Sequence, residues 1–305
     1  MRHVAARLSY ALVLSLLFAA AAAHAQQDLS QVQIKTTKLS GNVYTLDGSG
    51  GTIAVLAGPD GVLMVDSQFA PLTDKIVAAI KQINPGPIRF LINTHVHGDH
   101  TGGNENLGKM GVTIIARPQL RARLEKPAPG ANGAPGTPAP AAALPMVTFD
   151  APMTIYINGE QVQLIPIPAA HTDGDTLVKF VNADVIMTGD FYRSLGYPNI
   201  DRANGGSLNG MLAGLNRILE LAGPSTKIIP GHGVGVDRAA VAAHRDMIIA
   251  IRDKIAAMVN RGMTVEQVTA SKPTSDYDAK VPGVGTTGDR FIGQVYAELK
   301  AAPAR

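Results

Sequence analysis

The chain has 305 residues, 46% of them hydrophobic, enough for one large core or two modest ones. Its formal charge of +3 falls to +1 once Arg2 and Arg7 are set aside (3 − 2), and no basic run follows, which argues against a nucleic-acid partner. Cysteine and tryptophan are absent and aromatics are 5%, so disulfides are excluded, base or sugar stacking is disfavoured, and any metal site must use His, Asp and Glu.

In chain order, residues 1–25 read as a processing signal. Arg2 and Arg7 are followed by an apolar run from Tyr10 to Ala23, and Ala23-His24-Ala25 has the small-x-small form of a cleavage site. The run is shorter than the roughly 20 residues a membrane span needs. An uncleaved anchor is the competing reading. Residues 26–305 are expected to form a single domain that is exported, to a bacterial periplasm or beyond, with no membrane contact after cleavage. Gln31 to Ser67 reads as strands separated by turns at Gly48–Gly51 and Pro59-Asp60-Gly61; the runs from Thr52 and Val62 are almost wholly apolar, as buried strands are. Leu72, Ile76, Val77, Ile80 and Ile83 predict a helix over 71–83. A buried strand at Ile88 runs straight into THVHGDHTGG, residues 94–103, and a helix from Asn104 and a strand at Val112 follow.

Residues 127–145 are Pro, Ala or Gly at all but three positions, which excludes a regular helix or strand. A flap within the domain is expected here rather than a boundary. Strands resume at 147, 153–157, 162–167, 177–181 and 185–187. An amphipathic helix at 207–221, a short strand at 228–230, a long helix at 236–258 and two shorter helices complete the pattern. Strands with interspersed helices suggest sheets covered by helices.

Of the six histidines after the signal, His95, His97, His100, His171 and His232 each sit in a Gly- or Asp-rich stretch just after an apolar strand. Rigid strand ends are where a cation cage can be held on loop tips. His95 and His97, two apart, project the same way from extended backbone, and Gly98 lets Asp99 and His100 be aimed elsewhere. His244, mid-helix, reads as a surface or packing histidine.

THVHGDH resembles the H-x-H-x-D-H motif of the metallo-β-lactamase superfamily. The likeness continues in order through Ala170-His171-Thr172, Thr188-Gly189-Asp190 and Pro230-Gly231-His232-Gly233, and Asp66 matches the family's strand-end Asp. It covers residues 30–300 or so. The resemblance implies an α/β fold of αββα type: two mixed β-sheets packed face to face, helices on the outer faces, and the metal site at one edge. It implies two Zn2+ per chain, one held by His95, His97 and His171, the other by Asp99, His100 and His232, with Asp190 bridging. Three protein ligands per zinc leave open positions, as catalytic sites do. A bridging hydroxide would be the nucleophile. Asp99 would also orient that nucleophile and shuttle its proton. Asp66 reads either as an orienter of a ligand or as a plain turn residue.

The reaction expected is attack on the carbonyl of a cyclic amide or ester in a small-molecule substrate, with β-lactam hydrolysis as the leading activity. Asp190 stands where the Cys-dependent enzymes of the family carry Cys, so a lactonase or a glyoxalase II-like thioesterase with the same site is the alternative. A mononuclear iron sulfur dioxygenase is the alternative from another class; it does not need Asp99 or His232. Arg193, three residues after Asp190, reads either as a ligand for a substrate carboxylate or as an exposed loop arginine. Tyr192 is a candidate oxyanion contact. Asp173 and Asp175 could hydrogen-bond ligand histidines or cap the next strand. Oligomeric state is left open.

Overall fold

The computed structural model describes residues 28–129 and 133–301. The expected export signal at residues 1–25 lies outside the described residues. A seven-stranded sheet runs in chain order through β1 (Lys35–Ser40), β2 (Val43–Asp47), β3 (Ile53–Gly58), β4 (Gly61–Val65), β5 (Ile88–Ile92), β6 (Thr113–Ala116) and β7 (Val147–Thr148). The first four strands pair antiparallel and the rest join in parallel, so the sheet is mixed. A five-stranded sheet contains β8 (Met153–Ile157), β9 (Glu160–Pro166), β10 (Thr176–Phe180), β11 (Val185–Met187) and β12 (Lys227–Ile229), also side by side in chain order. Only its last pair, β11 with β12, is parallel.

The apolar runs at 53–57 and 62–65 lack alternation because both of their faces are covered. Side chains still alternate in direction along each strand. Ala54, Leu56, Leu63 and Val65 point into the core between the sheets, where they meet Val162, Leu164, Val178 and Phe180 of the second sheet. Ile53, Val55, Val62 and Met64 point the other way, into a core with Ile76 and Ile80 of α1 (Thr73–Ile83). Two short helices follow β5, α2 (Gly98–Thr101) and α3 (Asn104–Lys109), and α4 (Pro118–Glu125) follows β6. The outer face of the second sheet is covered by α5 (Leu208–Leu221), α6 (Arg238–Asn260), α7 (Val265–Ala270) and α9 (Gly288–Ala301), with α8 (Ser275–Asp278) between the last two. The layers are therefore helix, sheet, sheet, helix, as the αββα expectation had it.

Three helix starts are set by side chains that accept an otherwise unpaired backbone N–H: Ser207 for α5, Asp237 for α6, and Thr264 with Gln267 as a capping box for α7. The Pro/Ala/Gly-rich stretch lies alongside α3 and α4: Ala139 donates its N–H to Leu124, Arg121 reaches the carbonyl of Pro145, and Ala141–Ala143 forms a 3-10 turn packed on α3. Its residues 139–145 are thus docked on these two helices. Among the described residues no helix is long and apolar enough to cross a membrane.

Candidate metal centre

Every candidate ligand comes from the end of a strand. β4 ends at Asp66, β5 runs into residues 94–100, the β9–β10 link carries His171, and β11 and β12 are followed by Asp190 and His232. Their ends meet where the two sheets lie together. Backbone hydrogen bonds join the halves there, from Thr52 N–H to the Gly231 carbonyl and from Thr176 N–H to the Thr94 carbonyl.

Two groups of donor atoms form. One atom each from His95, His97, His171 and Asp190 lies within 4.8 Å of all the others, and the same holds for Asp99, His100 and His232. Asp190 faces both groups: its Oδ2 is 3.7 Å from His171 Nε2, and its Oδ1 is 3.3 Å from His100 Nε2 and 3.4 Å from His232 Nε2. His95, His171 and Asp190 are buried, whereas His97 in the first group and Asp99 and His232 in the second are 26%, 26% and 18% exposed, so solvent reaches both groups.

The outward nitrogens settle which ring atom faces inward. His171 Nδ1 donates to the Asn199 carbonyl at 2.7 Å, His97 Nε2 to Asp201 Oδ2 at 2.7 Å, and His100 Nδ1 to Asp66 Oδ2 at 2.8 Å. Thr94 Oγ1 donates to Asp66 Oδ2 and therefore accepts from His95 Nδ1. This leaves His97 Nδ1 and His171 Nε2 facing each other at 2.9 Å, and His95 Nε2 buried with no partner. Two ring lone pairs at that distance repel unless a proton or a cation stands between them. An unpartnered buried nitrogen beside them makes a cation the better fit, because buried polar atoms are otherwise paired. The residues present thus suit a divalent metal with nitrogen and oxygen ligands.

The electrostatics divide the rings into two kinds. Burial, helped by neighbouring His100 and His171, pushes His95 well below the usual imidazole range, and burial takes His171 down to about 4, so both are neutral ligands at pH 7. Burial opposes charge on His100 and His232 too, but Asp66 and Asp190 outweigh it for His100, and hydrogen bonds to Asp190 and Asp99 outweigh it for His232; both rise. Burial likewise opposes ionisation of Asp190, yet His100 and His232 hold its carboxyl well below the ordinary range.

Asp66 lies outside both donor groups and holds the outward nitrogen of the His100 ring. It sits at φ +64°, a left-handed conformation that Asp tolerates better than most residues, and its two oxygens accept from Thr94 N–H, Thr94 Oγ1 and His100 Nδ1. Asp175 accepts the backbone N–H of His171 and both donors of Thr172. Burial pushes its carboxyl up to about 7. Asp173 pairs with Arg123 of α4 at 2.7 Å. Arg193 brings Nε to 4.0 Å from Asp190 Oδ2, with that nitrogen buried and without a hydrogen-bond partner. Tyr192 is not brought to the cluster. It is 3% exposed, its ring packs edge-on against His244 of α6, and burial pushes its hydroxyl up to about 12. The expected oxyanion contact is corrected to a packing role, because residue 192 points to the helix side of its loop.

Sequence reasoning missed Asp201, the Asn199 carbonyl, Thr94 and Gly231. A Cβ at Gly231 would stand 2.0 Å from Asp190 Oδ1, so only glycine lets the β12 end pass the carboxylate. Its place beside His232 in PGHG was the one available signal. Asp201 and Asn199 lie in a loop with no metal-like spacing.

The sequence model of the metallo-beta-lactamase superfamily matches residues 46–233. A hydroxyacylglutathione hydrolase of Nitrosococcus oceani is 28% identical over 167 residues, which are 53% of this chain and 55% of that protein. The chain thus spans about half the length of the curated relatives it matches. Among solved structures, the stereoselective inverting sec-alkylsulfatase of a Pseudomonas species superposes with a TM-score of 0.69 at 17% identity, over 86% of this chain and 50% of that one. A metallo-beta-lactamase from Pontibacter korlensis gives 0.59 at 19% identity, over 71% and 99%. At these identities the structural likeness shows the fold.

Proposed function

The chain belongs to the metallo-beta-lactamase superfamily, and from that premise we propose that it is an exported binuclear zinc hydrolase acting on the carbonyl of a cyclic amide or ester. The observation that carries this reading is Asp190, whose two oxygens face the two donor groups separately. β-Lactam hydrolysis is the leading activity. His95, His97 and His171 would hold one ion, Asp99, His100 and His232 the other, and Asp190 would be shared. Bound there, the ions supply Lewis acidity, which lowers the pKa of water and polarises a carbonyl.

The chain's own groups do the rest. Asp66 and Asp201 fix the ring orientations of His100 and His97, and of His95 through Thr94, so no reorganisation is needed when substrate enters. Asp99 Oδ2 lies 3.1 Å from His232 Nε2 on the solvent side, placed to hold a proton from the attacking water and return it to the leaving atom. Burial raises its carboxyl, but the hydrogen bond from His232 and the charge of His100 outweigh that and keep it ionised. Arg193, beside Asp190, offers a substrate carboxylate a two-pronged partner.

A second reading, a thioesterase or lactonase with the same site, is supported by the likeness to the hydroxyacylglutathione hydrolase. The test is a panel of a penicillin, a carbapenem, a lactone and a thioester, with His95→Ala as control. Turnover of the penicillin, lost in the variant, is the expected result. Turnover of the thioester or the lactone alone selects the second reading, and turnover of none of the four overturns both.

A further inference from the structure

Two residues of the corner after β4, Asp66 and Gln68, stand in the left-handed region, at φ +64° and +51°. Asp tolerates that conformation, whereas a longer side chain such as Gln gains nothing from it. Gln68 is 1% exposed, and its Oε1 is buried without a hydrogen-bond partner. Strain and an unpaired polar atom in one buried residue both cost stability, and they persist where surrounding contacts hold the residue in place. Those contacts lead to the second donor group. Gln68 Nε2 donates to the Gly51 carbonyl at 2.7 Å, and the Gln68 carbonyl accepts the Gly103 N–H at 3.0 Å. Gly51 belongs to the glycine turn between β2 and β3, which lies against the His100 ring: a Cβ at Gly51 would stand 2.1 Å from Cε1 and 2.5 Å from Nε2 of that ring. Gly51 N–H donates to the Asp99 carbonyl at 3.0 Å, and the next N–H, from Thr52, to the Gly231 carbonyl beside His232 at 2.8 Å. The turn thus touches the chain segments that carry Asp99, His100 and His232, and the Gln68 amide ties it to the β4 corner.

We propose that Gln68 is a positioning residue for the second donor group: its amide holds the glycine turn against His100 and so sets how tightly Asp99, His100 and His232 bind a cation. Its two neighbours act on the same residue. Asp66 takes the outward ring nitrogen at 2.8 Å, and Ser67 N–H donates to the His100 carbonyl at 2.8 Å. A ring gripped in this way has little ordering left to undergo when a cation arrives, which is how a preorganised site gains affinity. The proposal rests on the two-ion reading in taking a cation at this group; it does not depend on which substrate is hydrolysed.

The test is zinc binding to the metal-free protein. Competition with a chelator gives the two affinities, and histidine ring signals in NMR spectra show which group each equivalent fills. Gln68→Met keeps the length and bulk of the side chain and removes the amide. It should weaken zinc at Asp99, His100 and His232 about tenfold, the lower end of what losing a ligand's outer partner costs, and leave the other group's affinity unchanged. Gly51→Ala breaks the same contact from the side of the turn and should act in the same direction. Ile80→Val, in the core under α1, lowers stability without touching the turn and should change neither affinity. Circular dichroism establishes that each variant is folded before zinc is added. Unchanged binding at the second group in Gln68→Met, or an equal loss at both groups, would overturn the proposal, the latter because a merely structural residue would act on both. Uptake of a single equivalent by the wild-type chain would defeat the two-ion reading and this proposal with it. If zinc at the second group weakens as expected and the hydrolysis panel is negative, Gln68 keeps its role and the hydrolase reading alone fails.

Discussion

A carboxylate 104 residues away in the chain sets the orientation of His97. Asp201 accepts from His97 Nε2 and also from Asn204, so it ties a ligand ring to a loop that Arg123 anchors through Asp173 and the Ala203 carbonyl. Such a partner fixes the tautomer and raises the basicity of the inward nitrogen, and its loss typically costs 10–100-fold in metal affinity. Asp201→Ala should weaken zinc by about that factor in a chelator competition, and Asp201→Asn, which keeps an acceptor oxygen, by less; wild-type affinity in the alanine variant would refute the role. His244 carries a different prediction. Burial lowers its pKa to about 4 in the folded chain, against 6.5 when unfolded. Above pH 6.5 both states are neutral and nothing changes. Between 6.5 and 4 the unfolded chain binds a proton that the folded one refuses, so stability falls as pH falls, by at most about 3 kcal/mol. In urea titrations at pH 7.5 and 5, His244→Phe should show a smaller difference between midpoints than wild type. An equal difference would mean that His244 is charged in the folded state.

At the scale of elements, close backbone approaches carry the site. α5 runs so near the His171 loop that a Cβ at Gly210 would lie 1.6 Å from the Ala169 carbonyl oxygen, while Ser207 N–H donates to the Ala170 carbonyl. Gly210→Ala should therefore destabilise by about 1–3 kcal/mol or force α5 outward. Gly223→Ala, whose nearest neighbour would be 3.7 Å away, should be close to neutral in the same denaturation series. Equal effects would show that the crowding at Gly210 is relieved without cost. The apolar pattern made some elements legible: the α1 stripe at Ile76 and Ile80 packs as its spacing predicts, and the two-sided burial of β3 and β4 follows from their unbroken apolar runs. α4 was not legible. Only Leu120 is buried in it, and its Arg and Glu residues give no stripe to read. α2 is a single turn, too short for any period. Composition makes the Pro/Ala/Gly stretch irregular but says nothing of where such a segment docks.

For the whole molecule, the centre is a seam between two halves. The first sheet contributes His95, His97, Asp99 and His100; the second contributes His171, Asp190 and His232. All seven lie in stretches that interrupt apolar runs with Gly, His and Asp, so they were visible in the sequence. Their partners were visible only in part: Asp66 through a strand end, Asp201 not at all, since contacts made across 104 residues leave no local spacing. In the proposed reaction the two donor groups work together, and hydrolysis of the penicillin panel member, followed as zinc is added to metal-free protein, tests this. Activity should be slight with one equivalent and reach its plateau at two, with Asp99→Asn lowering that plateau. A plateau at one equivalent, or hydrolysis indifferent to Asp99, would contradict it.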